Sequence, residues 1–219
     1  DLEVASTVNT ATPIAAGRML ASGADVRFTD GASCLCHTLE SGLNTASTAI
    51  WVRVPSVPAS STTTIWMWYG NAAAASDDDP YCTFSFYEGF EDPTLHFTTP
   101  CGDLTSVVGG GVGSLSWGSS GLLVSDVALP MARVYVGEAQ VTAASGQWPG
   151  LYWALDDASQ RSYSVLTDGS GVRVGVSGTG AGWCQGQNWA SAIVPFSSPV
   201  GLWQLTWAAT GDLRASFPT

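Results

Sequence analysis

The sequence predicts an all-β protein built as two β-sandwich domains. Three observations carry that expectation. Short runs alternate apolar and polar residues, as in Thr48 to Val54, where Ile50, Val52 and Val54 share one face while Trp51 and Arg53 share the other. Gly, Pro, Ser and Asp punctuate these runs at intervals too short for helices of ordinary length. The composition agrees: 25 glycines, 10 tryptophans, 45% hydrophobic residues and 11% charged residues supply core material with many turns.

In chain order, Thr12 to Leu20 is the early helix candidate, with Pro13 at a first-turn position and Thr12 able to cap. Asp25 to Thr29, Thr48 to Val54 and Thr62 to Tyr69 read as strands, with Pro55 and Pro58 breaking the chain between the last two. The run Ala72 to Pro80 reads as a joint. Its three aspartates, Asp77 to Asp79, favour a solvated loop over a calcium site. Cys82 to Phe90 reads as an aromatic strand, and the glycine-rich Val108 to Gly113 as a flexible loop. Further strands follow at Pro130 to Ala144, Gly150 to Leu155, Arg161 to Thr167 and Gly171 to Val176, with a turn at Asp168-Gly169. Gly201 to Ala208 and Asp212 to Phe217 flank a turn at Thr210-Gly211. Hairpins at such regular spacing build a sandwich or jelly roll.

Charge removes whole classes of function. The net charge is −11, and all 7 basic residues are arginines. Without lysine there is no phosphate-loop lysine and no Schiff-base lysine. An acidic chain without a basic patch lacks what nucleic acid requires, so no nucleic-acid partner is expected. The longest nearly apolar stretch, Ile65 to Ala75, falls short of the roughly 20 residues of a spanning helix, so no membrane span is expected. The chain begins at Asp1 and reads as a processed product or a piece of a longer precursor.

Five cysteines, Cys34, Cys36, Cys82, Cys101 and Cys184, fit an oxidising compartment and are all disulfide candidates. Cys82 is a candidate partner in the first domain, and Cys101 with Cys184 in the second, although spacing alone does not set connectivity. The Cys34-Leu35-Cys36-His37 element is the one arrangement with metal-ligand chemistry. Strand alternation puts Cys34 and Cys36 on one face and His37 on the other, which favours disulfide bonding over zinc. No metal or other cofactor is expected.

The segments Ala15 to Gly31, Ser47 to Ser76 and Phe84 to Asp92 carry a familiar order of motifs. An aspartate-led strand (Asp25-Val26-Arg27-Phe28) precedes a tryptophan strand with two prolines and a threonine-rich strand ending Tyr69-Gly70-Asn71-Ala72. These resemble the bacterial domain of unknown function numbered 2341, over about residues 1–90; that family has proline where this chain has Ala72. The resemblance implies a secreted or envelope β protein with no catalytic residues to carry over. It also implies a second domain, a concanavalin-like or laminin-G-like jelly roll, which Trp148 to Val174 and Leu202 to Phe217 resemble. The expected domains are therefore residues 1–86 and 87–219.

Concanavalin-like folds include glucanases, whose catalytic acids sit at alternate positions of one strand. Here Glu88, Glu91 and Asp92 lack that spacing, and the adjacent Asp156 and Asp157 read as a turn. No complete G-x-S-x-G element exists. With no chemistry surviving, the expected function is a non-enzymatic extracellular or cell-surface structural protein, a subunit of a filament built by head-to-tail strand exchange. Its partner is then a second copy of itself, with Leu2, Val4, Leu213 and Phe217 as subunit-contact candidates on terminal strands. The resemblance supports this, since the family carries a further strand before the position of Asp1. The alternative is a carbohydrate-binding adhesion module that takes glycans on Trp148, Trp153, Trp183 and Trp189. A glycoside hydrolase stands third. The hydroxyl clusters Ser60 to Thr64 and Ser197-Ser198 are candidate O-glycosylation sites.

Overall fold

The computed structural model describes residues 2–91, 96–102, 105–116, 121–125, 135–141, 150–156, 161–167, 172–176, 193–194, 201–207 and 213–216. Nearly all of its regular structure is strand, so the protein is all-β. Two compact units divide the chain, Asp1–Gly89 and Phe90–Thr219.

The first unit runs β1 (Leu2–Val8), α1 (Ala11–Ala15), β2 (Arg27–Thr29), β3 (Cys34–Leu35), β4 (His37–Ser41), β5 (Thr48–Val54), β6 (Trp66–Trp68) and α2 (Pro80–Thr83). Its strands form two antiparallel three-stranded sheets, β1-β5-β4 and β3-β2-β6. One core lies between their inner faces. Ile50, Val52 and Val54 of β5 enter it from one side, Phe28 and Leu35 from the other, with Met19 and Val26 from the connecting chain. Strict alternation along β5 explains this, since every second residue is buried. Each fully buried Val or Ile contributes about 1.5–3 kcal/mol through the area removed from water.

Several expectations change here. The helix is confined to Ala11–Ala15, and the Asn9 side chain, not Thr12, accepts a first-turn N–H, that of Thr12, at 3.1 Å. The expected strand over Thr62 to Tyr69 shrinks to β6. Its partner β2 ends at Thr29, opposite Trp66, so residues before Trp66 have no strand beside them. The expected strand over Cys82 to Phe90 is instead the single helical turn α2 followed by irregular chain. Asp79 caps that turn by accepting the Cys82 N–H at 3.0 Å, and Pro80 presets the first helical φ.

The aspartate run is also not simply solvated. Asp78 accepts from the Thr38 hydroxyl at 2.5 Å and from the Leu39 N–H at 3.2 Å. Asp77 pairs with Arg27 at 3.4 Å. No group of three metal-ligating side chains occurs among the described residues.

The second unit comprises β7 (Phe97–Gly102), β8 (Thr105–Gly109), β9 (Val112–Ser116), β10 (Gly121–Ser125), β11 (Tyr135–Val141), β12 (Gly150–Asp156), β13 (Arg161–Thr167), β14 (Val172–Val176), β15 (Ile193–Val194), β16 (Gly201–Trp207) and β17 (Leu213–Ser216). They pair as β10-β7, β8-β9, β11-β16-β17 and β12-β13-β14-β15. The expected strands over 150–155, 161–167, 171–176 and 201–208 match to within two residues at each end. The glycine run is not a flexible loop but the tight turn of the β8-β9 hairpin. Gly109 pairs with Val112, leaving a two-residue turn in which Gly110 (φ 63°) and Gly111 (φ 76°) are both left-handed, a conformation that demands glycine. Asp156 ends β12 opposite Arg161 rather than lying in a turn, and Asp157 is outside the described residues. No helix among the described residues is long and apolar enough to cross a membrane.

Candidate functional site

The outer face of β3-β2-β6 is the most chemically distinctive surface among the described residues. Period-two alternation sends Phe28, Leu35 and Met67 inward, so Arg27, Thr29, Cys34, Trp66 and Trp68 project outward. Cross-strand register then puts Thr29 between Cys34 and Trp66, and Arg27 opposite Trp68. Two indoles therefore stand at alternate positions of one strand, about 6.7 Å apart along it. Both are exposed, Trp66 by 46% and Trp68 by 58%.

The rings are supported from behind. Trp68 Nε1 donates to Thr29 Oγ1 at 3.0 Å. Trp66 lies against the backbone of Gly31, where a Cβ would come within 3.1 Å of the ring. Gly31 also has φ 95°, a backbone conformation that strains any side chain and so favours glycine. The β2-β3 turn beneath is held by Asp30, whose Oδ1 accepts the N–H groups of Ala32 and Ser33, both at 2.9 Å. Those bonds hold the Asp30 carboxyl below its ordinary pKa, with the Ser33 N–H the larger cause. Thr29, Gly31, Ala32, Ser33, Cys34 and the two indoles line a shallow, open cleft of about 460 Å³. The lining is apolar and aromatic with hydroxyls at its edge, and it holds no carboxylate pair. Such a surface can stack flat rings and hydrogen-bond hydroxyl groups.

The cysteines separate into two roles. Cys36 and Cys82 form a disulfide with Cα atoms 5.6 Å apart, tying the start of β4 to α2. That bond fits a non-cytoplasmic compartment. Cys34 is a free, exposed thiol at the rim of the cleft. Cys101 lies in β7 opposite Leu122, with its side chain outside the described residues, as is all of Cys184.

His37 faces the core. It is 1% exposed, its ring lies 5.2 Å from Phe28, and its Nδ1 is buried with no hydrogen-bond partner among the described residues. Desolvation lowers its pKa below 6.5 and outweighs the nearby carboxylates of Asp78 and Asp77, which raise it. A depressed histidine pKa means that the unfolded chain binds the proton more readily. Stability from this group is complete above about pH 6.5 and falls as the pH drops toward the folded value, by up to about 1.4 kcal/mol per pH unit. We expect denaturation midpoints to fall between pH 7 and 5.5, and the His37→Phe variant to lose most of that dependence. Equal slopes in both proteins would refute the assignment.

Three of the four subunit-contact candidates lie in strands paired within the chain. Leu2 and Val4 sit in β1 opposite Val54 and Val52, with Leu2 half exposed and Val4 packed against the core. Leu213 sits in β17 opposite Trp207, and Phe217 is outside the described residues. Of the glycan-binding candidates, Trp153 lies in β12 opposite Tyr163, with its side chain outside the described residues. Trp148, Trp183 and Trp189 are wholly outside them. Sequence reasoning passed over Trp66 and Trp68. The signal was present as Trp66-Met67-Trp68, two large aromatics flanking one apolar residue at strand spacing.

No curated protein and no solved structure matches the chain. Residues 22–100, which include β2 to β6 and so the whole aromatic face, match the family described as domain of unknown function (DUF2341).

Proposed function

We propose that this chain is a non-enzymatic extracellular β protein whose first unit binds carbohydrate on the outer face of β3-β2-β6. One observation carries this reading: the exposed, buttressed pair Trp66 and Trp68. The apolar C–H face of a pyranose ring stacks on an indole, and ring hydroxyls bond to a polar rim. Fixing the rings before binding lowers the ordering cost. Trp68→Ala is expected to weaken glycan binding about tenfold or more, as truncation of a central aromatic anchor does. A glycan array followed by calorimetry on the hits tests it. No hit, or equal affinity in the variant, refutes it.

A second reading is a structural subunit that self-associates head to tail into a filament. It is favoured by the terminal strand β1, which lies at the edge of its sheet with Leu2 half exposed. An edge strand presents N–H and C=O groups that a second copy can pair. Filaments in negative-stain micrographs of the purified protein are its expected result, and a monodisperse monomer at high concentration removes it. In both readings the second unit is a concanavalin-like jelly roll that spaces or presents the first, and the hydroxyl clusters near residues 60–64 and 197–198 carry O-linked sugars.

A further inference from the structure

The carbohydrate reading leaves open which glycans the aromatic face accepts, and the charges around it bear on that. Among the described residues Arg27 is the cation on this face, and its guanidinium is already engaged. Nη1 donates to the carbonyls of Ala24 and Val26 at 2.9 and 2.6 Å, and Nη2 to that of Ala75 at 2.6 Å. Nε faces Asp77 at 3.4 Å. An incoming anion would have to displace these partners. Asp30 lies in sequence between the lining residues Thr29 and Gly31 without itself lining the cleft. Its carboxylate is fixed by the Ala32 and Ser33 N–H groups, and among the described residues no cation pairs with it. The whole chain adds a net charge of −11.

We propose that Asp30 is a specificity-determining residue of the aromatic cleft, rejecting glycans that bear carboxylate or sulfate and so selecting neutral pyranose chains. The proposal rests on the carbohydrate reading. Stacking on Trp66 and Trp68 is indifferent to charge, because every pyranose offers a C–H face. Discrimination must then come from a repulsive element, and a carboxylate bonded to the lining residues Ala32 and Ser33 from behind supplies one. Like-charge opposition at a partly exposed site weakens as salt screens it. The same argument disfavours a second copy on this face, since each copy would bring its own Asp30 and its own net negative charge.

The test compares cello- and chito-oligosaccharides with oligogalacturonate of equal length and a heparin fragment, by calorimetry on the full chain. The unaltered protein is expected to bind at least one neutral chain and to bind the anionic chains more weakly. Asp30→Asn keeps an oxygen for the Ala32 and Ser33 N–H groups but removes the charge. It is expected to raise affinity for the anionic chains, relative to that for the neutral chains, about three- to tenfold. Raising the salt until the Debye length falls from about 30 Å to about 3 Å should shrink the discrimination in the unaltered protein. If Asp30→Asn does not fold, Asp30→Ser, whose hydroxyl can accept the same N–H groups without charge, takes its place. Anionic chains bound as tightly as neutral ones, or a discrimination insensitive to both substitution and salt, overturns the proposal and leaves the carbohydrate reading standing. Binding of no glycan overturns that reading and this inference together. A Trp68-dependent dimer in sedimentation assigns the face to a second copy and overturns the inference.

Discussion

Replacing both Cys36 and Cys82 by serine is expected to lower the stability of the first unit by about 4 kcal/mol. The two residues are 46 apart in sequence, and the chain-entropy estimate for a loop of that size gives this figure. The bridge also holds an element that cannot hold itself. The helix α2 spans only Pro80–Thr83, far below the length at which an isolated helix is stable. Besides the bridge, it has the Asp79 cap, the Asp79 N–H bond to the His37 carbonyl at 3.0 Å, and an Arg53 guanidinium donating to the Cys82 carbonyl at 2.9 Å. Substituting both cysteines avoids a replacement bond with the exposed Cys34 thiol. Native-state hydrogen exchange, read on peptides from β4 and β5, measures the first unit separately from the second. Protection should drop by about three powers of ten. Reductant added to the unaltered protein should give a similar loss. Unchanged protection in both experiments would show that the bridge adds nothing to the fold.

How far the fold could be read in advance depended on where the determining information lay. The strand β5 was legible because alternation at Ile50, Val52 and Val54 is itself the two-sided pattern of a half-buried strand. The β13-β14 hairpin was legible because its turn residues fall between two β-branched runs. The segment after Pro80 was misread because its aromatic content resembles a strand. Local cap chemistry outweighed that propensity, and the Asp79-Pro80 pair was a visible helix-start signal. Thr62 to Thr64 have strand propensity but no strand for company, because β2 turns away at Asp30. That limit belongs to a partner more than thirty residues earlier, and no window around Thr62 contains it.

The candidate site was less legible for a related reason. The glycan-binding candidates Trp148, Trp153, Trp183 and Trp189 stand near expected loops, whereas Trp66 and Trp68 fall inside an expected strand. Which side of β6 faces water depends on the packing of Met67 beside Phe28, a tertiary fact. Asp78 was similarly opaque. Three successive aspartates look like a solvated run, yet Asp78 is held by Thr38 and Leu39, some forty residues earlier.

Asp25→Ala is expected to cost about 3–5 kcal/mol, more than any other single charged-residue substitution in the first unit. Asp25 leads the motif on which the family resemblance rests, and it is 3% exposed. Its two oxygens serve different segments. Oδ1 accepts the Leu20 N–H at 3.0 Å, and Oδ2 accepts the Gly70 N–H at 2.7 Å. The carboxylate therefore joins the chain entering β2 to the turn before it and to the segment leaving β6. Hydrogen bonds to a charged group contribute about 1.5–3 kcal/mol each, and alanine would leave both N–H groups without their acceptor. Asparagine retains one acceptor oxygen and sets an amide N–H₂ against the other donor, so Asp25→Asn should recover part of the loss. Asp77→Asn is the matched control. Asp77 is an exposed carboxylate paired with Arg27, and such pairs contribute about 0–1 kcal/mol. In a unit of this size each kcal/mol moves the melting temperature by about 4–8 °C, so Asp25→Ala should melt well over 10 °C below the unaltered protein. Asp77→Asn should stay within a few degrees of it. If Asp25→Ala and Asp77→Asn melt together, the buried carboxylate is not the clasp described, and its two short hydrogen bonds carry no net stability.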